Sequence, residues 1–365
     1  MGAAWLALLR ARADCFVTKE SRARIDEIVQ RGKQFRRRIL DPAVLRGILP
    51  VRAQALRVAA ERPEARDRER RFIDQSPAYA QAVADLESGR LKAAPTYERG
   101  DARAITVDSM RWWVPLTSPD DPESVEHALT HQHFPYRVIT QTREIALGGT
   151  MIDIGANTGR MSIPRVILGD ATLAYCAEPE PLNYACLLRN VKDNHLAGLI
   201  MPDHLAIGSE DGTVRLERTR STGGHRVIGA DSTSKRDVVE VRSLRLDTWV
   251  KQVGIDLDQV RFVKLDVQGS EVDVLRGASG VLARKHIAWQ IEVDLKILAR
   301  RGFGPADLYT PLQQHFTHFI DLNGRLTTDR VRPIGEMPDA LAYVTGGTEG
   351  RTDVLLFTME TTASL

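Results

Sequence analysis

The stretch Thr150-Met-Ile-Asp-Ile-Gly-Ala-Asn-Thr-Gly-Arg160 decides the fold. Met151 to Ile154 is a short apolar run interrupted by one acid, Asp153. It breaks into Gly155-Ala156-Asn157-Thr158-Gly159, and Met161 to Leu168 continues with mostly helix-compatible residues. Strand, tight glycine turn and helix, in that order, make the first unit of a nucleotide-binding α/β sheet. Glycine serves such a turn because it tolerates positive φ and lets backbone approach a ligand closely. The unpaired N–H groups at the helix start then offer a site for polar or anionic groups.

The pattern is D-x-G-x-N-x-G, not the G-x-G-x-x-G of dinucleotide dehydrogenases. An acid two residues before the first glycine suits a ligand with a positive charge or an ammonium group nearby. S-adenosyl-L-methionine has both, a sulfonium and an α-amino group, and no pyrophosphate. Taken alone, the motif also reads as a glycine turn with a chance acid.

From residue 149 onward, strand-like and helix-like segments alternate, the mark of a parallel sheet with crossover helices. Strands are predicted over 150–154, 172–178, 201–207, 261–266, 287–293, 316–322 and 352–358. Seven strands fit an α/β, doubly wound, mostly parallel Rossmann-like sheet with its ligand crevice at the strand C-termini. Between the third and fourth, Thr213 to Arg218 and Val238 to Leu244 read as a β-hairpin insertion. The loop joining them contains Ser221-Thr-Gly-Gly-His225.

Acids mark the ends of these strands. Glu178 closes the second, 23 residues after Gly155, the usual distance for a carboxylate that takes ribose hydroxyls. Ribose recognition does not separate an adenosyl methyl donor from a nicotinamide cofactor, and a solvated strand-end carboxylate would look the same. The fourth strand gives Lys264 and Asp266 on one face, because side chains alternate with period two. Charges inside an apolar run are costly unless paired or functional. Glu292 ends the fifth strand, and a Lys264–Glu292 ion pair that merely orders the site competes with a direct catalytic role for both.

Together these residues resemble the FkbM-type family of S-adenosylmethionine-dependent methyltransferases. The resemblance lies in D-x-G-A-N-x-G (Asp153–Gly159), E-P-x-P-x-N (Glu178–Asn183), L-x-x-N (Leu187–Asn190), K-x-D-x-x-G-x-E (Lys264–Glu271) and Q-I-E (Gln290–Glu292), across residues 130–358. Gln268 departs from it, standing where the family usually carries Glu. The resemblance implies S-adenosyl-L-methionine as cofactor, held by Asp153, Gly155, Ala156, Asn157, Gly159, Glu178, Pro179, Asn183 and Ala206. It also implies O-methylation of a hydroxyl on a sugar, glycan or glycosylated natural product. An alcohol is a weak nucleophile, so a base must take its proton as the bond forms. Asp266 is the first candidate, Glu292 the second and His225, on the glycine-rich loop, the third. The N-P-P-Y-type sequence of amino methyltransferases is missing. No clustered His/Asp pattern demands a metal, though Asp266 and Glu292 together offer a cation two carboxylates. A nicotinamide-dependent oxidoreductase and a non-catalytic cofactor-binding scaffold are the competing readings.

Outside the resemblance, residues 1–100 read as a basic helical extension and 101–365 as the methyltransferase domain. Residues 1–71 carry 18 Lys/Arg against 9 Asp/Glu, concentrated in Arg36-Arg37-Arg38 and Arg66 to Arg71. Acids interleave with these arginines and aromatic residues are scarce, which favours a solvated helical face over a nucleic-acid surface. Helices are expected over Arg22 to Gln30, Val51 to Arg62 and Ala78 to Leu86, a linker over Leu91 to Asp101, and a helix pair over Glu126 to Leu147. The extension would be separable and help the enzyme form a homo-oligomer or hold its acceptor. Three cysteines are too few and too scattered for a disulfide framework or zinc site. No apolar run approaches the ~20 residues that span a bilayer, so the cytoplasm is the expected location.

Overall fold

The computed structural model describes residues 63–88, 102–107, 110–115, 135–219, 223–229, 232, 237–323, 331–344, 350–358 and 361. A hairpin of β1 (Ala102–Val107) and β2 (Met110–Pro115) precedes β3 (Thr150–Ile154), β4 (Leu173–Ala177) and β5 (Ile200–Asp203). Then follow β6 (Ala206–Gly208), β7 (Gly212–Glu217), β8 (Arg226–Ile228) and β9 (Val238–Arg245). The chain continues with β10 (Val260–Leu265), β11 (Ala288–Val293), β12 (His318–Asp321), β13 (Arg332–Pro333) and β14 (Thr352–Phe357).

β3 is buried along its whole length, as a strand covered by helices on both faces must be. The main sheet has the order β13-β12-β14-β11-β10-β3-β4-β5. Its β11-β10-β3-β4-β5 half is parallel, while β14 runs antiparallel to β11 and β12. From β3 the chain winds outward to β5, then crosses back to β10 on β3's other side. That reversal opens a crevice above the C-terminal ends of β3 and β10.

Two strand expectations change. The sheet holds eight strands, not seven, because the two-residue β13 pairs with β12 at the edge. Pro333 brings no N–H to that edge, so the ladder stops there. The predicted strand 201–207 splits into β5 and β6, and β6 pairs in parallel with β9. The hairpin insertion becomes a second sheet, β6-β9-β7-β8.

Residues 63–87 share the domain's core. Helices Pro63–Gln75 and Pro77–Glu87 send Phe72, Tyr79 and Val83 into the cluster that contains Ile152, Val263 and Trp249. Their junction is pinned by Asp203, whose Oδ1 accepts from Ser76 Oγ at 2.6 Å and Oδ2 from Trp249 Nε1 at 2.9 Å. A Cβ on Gly198, at φ +76°, would fall 2.1 Å from the Ala65 carbonyl oxygen, so backbone meets backbone there. A boundary at residue 100 therefore cuts one hydrophobic core. Arg66, Arg70 and Arg71 lie exposed on the outer face of the first helix. The expected helices before residue 63, the Arg36–Arg38 cluster, the linker and the first helix of the 126–147 pair lie outside the described residues. Trp112 and Trp113 are buried and belong to the core.

A chain beginning at residue 101 is expected to lose its cooperative melting transition, whereas one beginning at residue 62 keeps it. Phe72→Ala should lower stability by about 3–5 kcal/mol. A cooperative transition at the full-length Tm in the shorter chain would show the two helices to be dispensable.

Candidate active site

The crevice is built from five strand ends. Gly155, Ala156 and Asn157 follow β3, and Gly155 and Asn157 take positive φ, +74° and +52°. A Cβ on Gly155 would sit 1.9 Å from the Asp266 carbonyl oxygen, so no other residue fits where the loops after β3 and β10 touch. Gly159, at φ +89°, faces away and packs on Ile163 and Leu187.

Glu178 follows β4 and forms one wall of the crevice. Its Oε2 accepts from Asn157 N–H at 2.8 Å and its Oε1 from Glu180 N–H at 2.9 Å. Burial pushes its carboxyl up to about 7, against those two backbone donors. Pro181 begins the next helix, and Glu180 caps it by accepting from Asn183 N–H at 2.7 Å. This places Pro179 and Asn183 beside Glu178, with apolar Leu205, Ala206 and Ile207 next along the wall.

On the opposite side Lys264 is the hub. Its ammonium donates to the Gly155 carbonyl at 2.7 Å and lies 3.4 Å from Asp266 Oδ2 and 3.6 Å from Asp153 Oδ1. Burial alone would lower its pKa, but Asp266 and Asp153 outweigh it and hold the charge well above the usual lysine range. Asp153 is fully buried beneath the crevice and outside its lining, and burial raises its carboxyl despite the pull of Lys264. Asp266 leaves 34% of its side chain open to the crevice. Burial works against its charge, yet Lys264 and the Gln268 amide keep its carboxyl below the usual range.

The expected Lys264–Glu292 ion pair does not form. Lys264 turns toward β3, and Glu292 instead lies 3.3 Å from Arg351. Gln268, at φ +52°, spans the two candidate bases: its Nε2 donates to Asp266 Oδ1 at 2.8 Å and to Glu292 Oε2 at 2.7 Å. Burial, then the charges of Asp266 and Asp353, push the Glu292 carboxyl up to about 9. At neutral pH Asp266 is thus the ionised member of the pair and Glu292 the protonated one.

His225 also lines the crevice, from the loop before β8. Its Nδ1 accepts from Thr219 N–H at 3.0 Å, and burial followed by Arg218 lowers its pKa to about 4. The neutral ring therefore carries its proton on Nε2, which makes it a hydrogen-bond donor and leaves no free nitrogen to act as a base. The hairpin that carries it is tied down by Arg301, which donates to the Val227 carbonyl at 3.0 Å and pairs with Asp273 at 2.6 Å.

Four charged lining residues escape the sequence motifs: Arg160 after the glycine turn, Arg226 at the start of β8, and Arg351 and Asp353 at the start of β14. Asp353 stands at the edge of the apolar run Val354–Phe357, the same sign that marks Asp266. Nothing in the sequence tells that β14 inserts next to β11 and sets Asp353 opposite Glu292. Among the described residues, no group of three His, Cys, Asp or Glu converges as metal ligands would. No described helix is long and apolar enough to cross a membrane.

Residues 153–319 match the model of the methyltransferase FkbM domain. Among solved structures, the chain is similar to methyltransferase FkbM from Methylobacillus flagellatus KT, at 17% identity over 61% of this chain and 53% of that one, with a TM-score of 0.36. It thus spans about half of that relative's length. It is also similar to the B. subtilis tRNA methyltransferase TrmK, at 9% identity over 60% and 65% of the chains and a TM-score of 0.32. P. horikoshii TYW2 in complex with MeSAdo gives 11% identity, 76% and 81% coverage and a TM-score of 0.34. No curated protein matches the sequence.

The Glu292 assignment has a measurable consequence. A carboxyl that titrates near 4.5 when unfolded and about 9 when folded binds a proton in the native state that the unfolded chain has lost. Its contribution to stability is complete below pH ~4.5 and disappears as the pH rises through ~9. Glu292→Gln removes that loss, so its Tm relative to the parent should climb steadily from pH 5 to pH 9. Thermal melts in a pH series check this, and a constant difference across the series would refute the raised carboxyl.

Proposed function

We propose, from the match of residues 153–319 to the methyltransferase FkbM domain, that this chain is an S-adenosyl-L-methionine-dependent O-methyltransferase. Its acceptor is a hydroxyl of a sugar, glycan or glycosylated natural product, used in the cytoplasm. The observation that carries this reading is the pair of carboxylates on opposite sides of one glycine loop, Glu178 tied to backbone donors and Asp266 ionised by Lys264.

The residues present fit the cofactor. Each Glu178 oxygen already accepts one backbone N–H and keeps a further lone pair for a ribose hydroxyl. Leu205, Ala206 and Ile207 offer an apolar wall for the adenine, and the Gly155–Asn157 turn brings backbone close. Asp153 acts from below, through Lys264, and so positions the turn instead of touching the ligand. When bound, S-adenosylmethionine supplies an electrophilic methyl group on its sulfonium.

Asp266 takes the proton of the acceptor hydroxyl. A carboxylate held below its usual pKa is a poor base toward a resting alcohol. As the oxygen gains its new bond to carbon, however, the O–H becomes strongly acidic, and even a weak carboxylate then accepts the proton. Lys264 keeps Asp266 ionised for that step, and Gln268 fixes the carboxylate's direction. Protonated Glu292 lies beside it as a hydrogen-bond donor to the acceptor. Alignment of the two reactants in a site closed to water accounts for most of the acceleration.

Asp266→Asn keeps the shape of the side chain and loses its basicity. Methyl transfer in single turnover should fall by roughly 10²–10⁴-fold, with S-adenosylhomocysteine affinity nearly unchanged by calorimetry. Glu178→Ala should do the reverse and weaken S-adenosylhomocysteine about tenfold or more, through the loss of charge-assisted hydrogen bonds. NAD titrated in parallel should give no heat. Binding of NAD in place of S-adenosylhomocysteine would overturn the cofactor assignment, and near-normal turnover by the Asn variant would remove Asp266 as base.

A further inference from the structure

Gln290 stands at a position where a buried amide has little reason to be. It lies inside β11, in register with Lys264 on one side and Leu355 on the other, and it is only 3% exposed. Its Nε2 donates to Asp353 Oδ1 at 3.1 Å, which fixes the amide's orientation, since the reverse would set two acceptors against each other. Its Oε1 then has no hydrogen-bond partner, although Gln290 and Asp353 both line the crevice. A buried acceptor without a donor is costly, and a ligand that enters the crevice with a donor would satisfy it.

We propose that Gln290 and Asp353 form a recognition subsite for the acceptor, taking a second hydroxyl next to the one that is methylated. This rests on the reading of the crevice as a hydroxyl methyltransferase site. Position supports it: Gln290 lies two residues before Glu292, on the same face of β11, and Asp353 stands opposite Glu292 across the β11–β14 ladder. Gln290 thus lies on the strand beside β10 and Asp353 one strand further, which sets the subsite on the β14 side of Asp266.

The missing donor is better supplied by a hydroxyl than by an ammonium group. Asp266 already faces Lys264 at 3.4 Å, and Glu292 faces Arg351 at 3.3 Å. A cationic acceptor would enter beside Lys264 and be repelled by it, and the nearest carboxylate, Asp266, is already engaged. A neutral diol gives one O–H to Gln290 Oε1 and a second to Asp353 at no such cost. The acceptor class is thus a cyclic polyol with adjacent hydroxyls, and an isolated alcohol should be a poor substrate.

The test compares Gln290→Met with Gln290→Glu in the full chain. Met fills the same volume without the unpaired oxygen. Gln290→Met also removes the amide's donor to Asp353, so discrimination between sugars, and not the melting temperature, is the readout. With methyl hexopyranosides and their monodeoxy analogues as probes, the KM of Gln290→Met should rise tenfold or more while S-adenosylhomocysteine affinity stays constant. The parent should discriminate against the deoxy sugar lacking the adjacent hydroxyl, and Gln290→Met should lose that discrimination. Gln290→Glu keeps an acceptor oxygen at the position and should retain part of it. Unchanged discrimination at an unchanged KM would overturn the proposal. Failure of the hydroxyl-methyltransferase reading itself looks different. The parent would then turn over none of the glycosides.

Discussion

The ammonium of Lys264 holds the centre of this molecule together. It lies inside a parallel sheet, nearly out of reach of water, and would be untenable alone. Two carboxylates and one carbonyl make it stable there, and each belongs to a different part of the site. Asp153 comes from β3, Asp266 from the end of β10, and the Gly155 carbonyl from the turn between them. One cation thus fixes the register of the two strands that define the switch point. It also keeps the glycine turn in place and sets the charge state of Asp266. Removing it would leave two buried carboxylates facing each other, each with a reason to take up a proton.

That dependence explains which parts of the site could be read in the sequence. Asp153, Lys264 and Asp266 stand out because an acid or a lysine within an apolar strand needs a partner. The glycines stand out because only glycine allows the loops after β3 and β10 to touch. What was not legible is who partners whom. Lys264 and Glu292 looked like a pair by type and period, yet in three dimensions Lys264 is satisfied toward β3 and Glu292 toward β14. Strand order decides this, and strand order is a property of the crossovers, which the local pattern does not record. Asp353 and Arg351 escaped notice for the same reason, being separated from Glu292 by about sixty residues of chain.

The N-terminal boundary shows another limit of sequence reading. Composition shifts from basic toward acidic near residue 71, which looks like the seam of a separate module. Charge describes only the solvent face of helix Pro63–Gln75, however. Its inner face is Ala65 and Phe72, and the next helix adds Tyr79 and Val83. Their ring contacts, Phe72 to Tyr79 at 5.1 Å and Phe72 to Tyr175 at 6.0 Å, continue the core onto β4. The Asp203 carboxylate completes the join by accepting from Ser76 and Trp249 at once. An amphipathic helix can carry a strong surface charge and still belong to the core beneath it.

The mixed sheet divides the labour of the crevice. Its parallel half ends in the glycine turn and Glu178, which are rigid and held by backbone hydrogen bonds. Its antiparallel addition, β14, brings a different kind of surface, the side chains of Asp353 and Arg351, set against the unsatisfied amide of Gln290 on β11. Backbone contacts suit a ligand that never varies, because a change of side chain scarcely disturbs them. Side-chain contacts suit a ligand that must be told apart from its relatives, since each can be altered alone. Asp266 and Gln268 lie at the seam between the two halves. There the sheet's order places a carboxylate within reach of both, and Gln268 links it to Glu292 through a single amide.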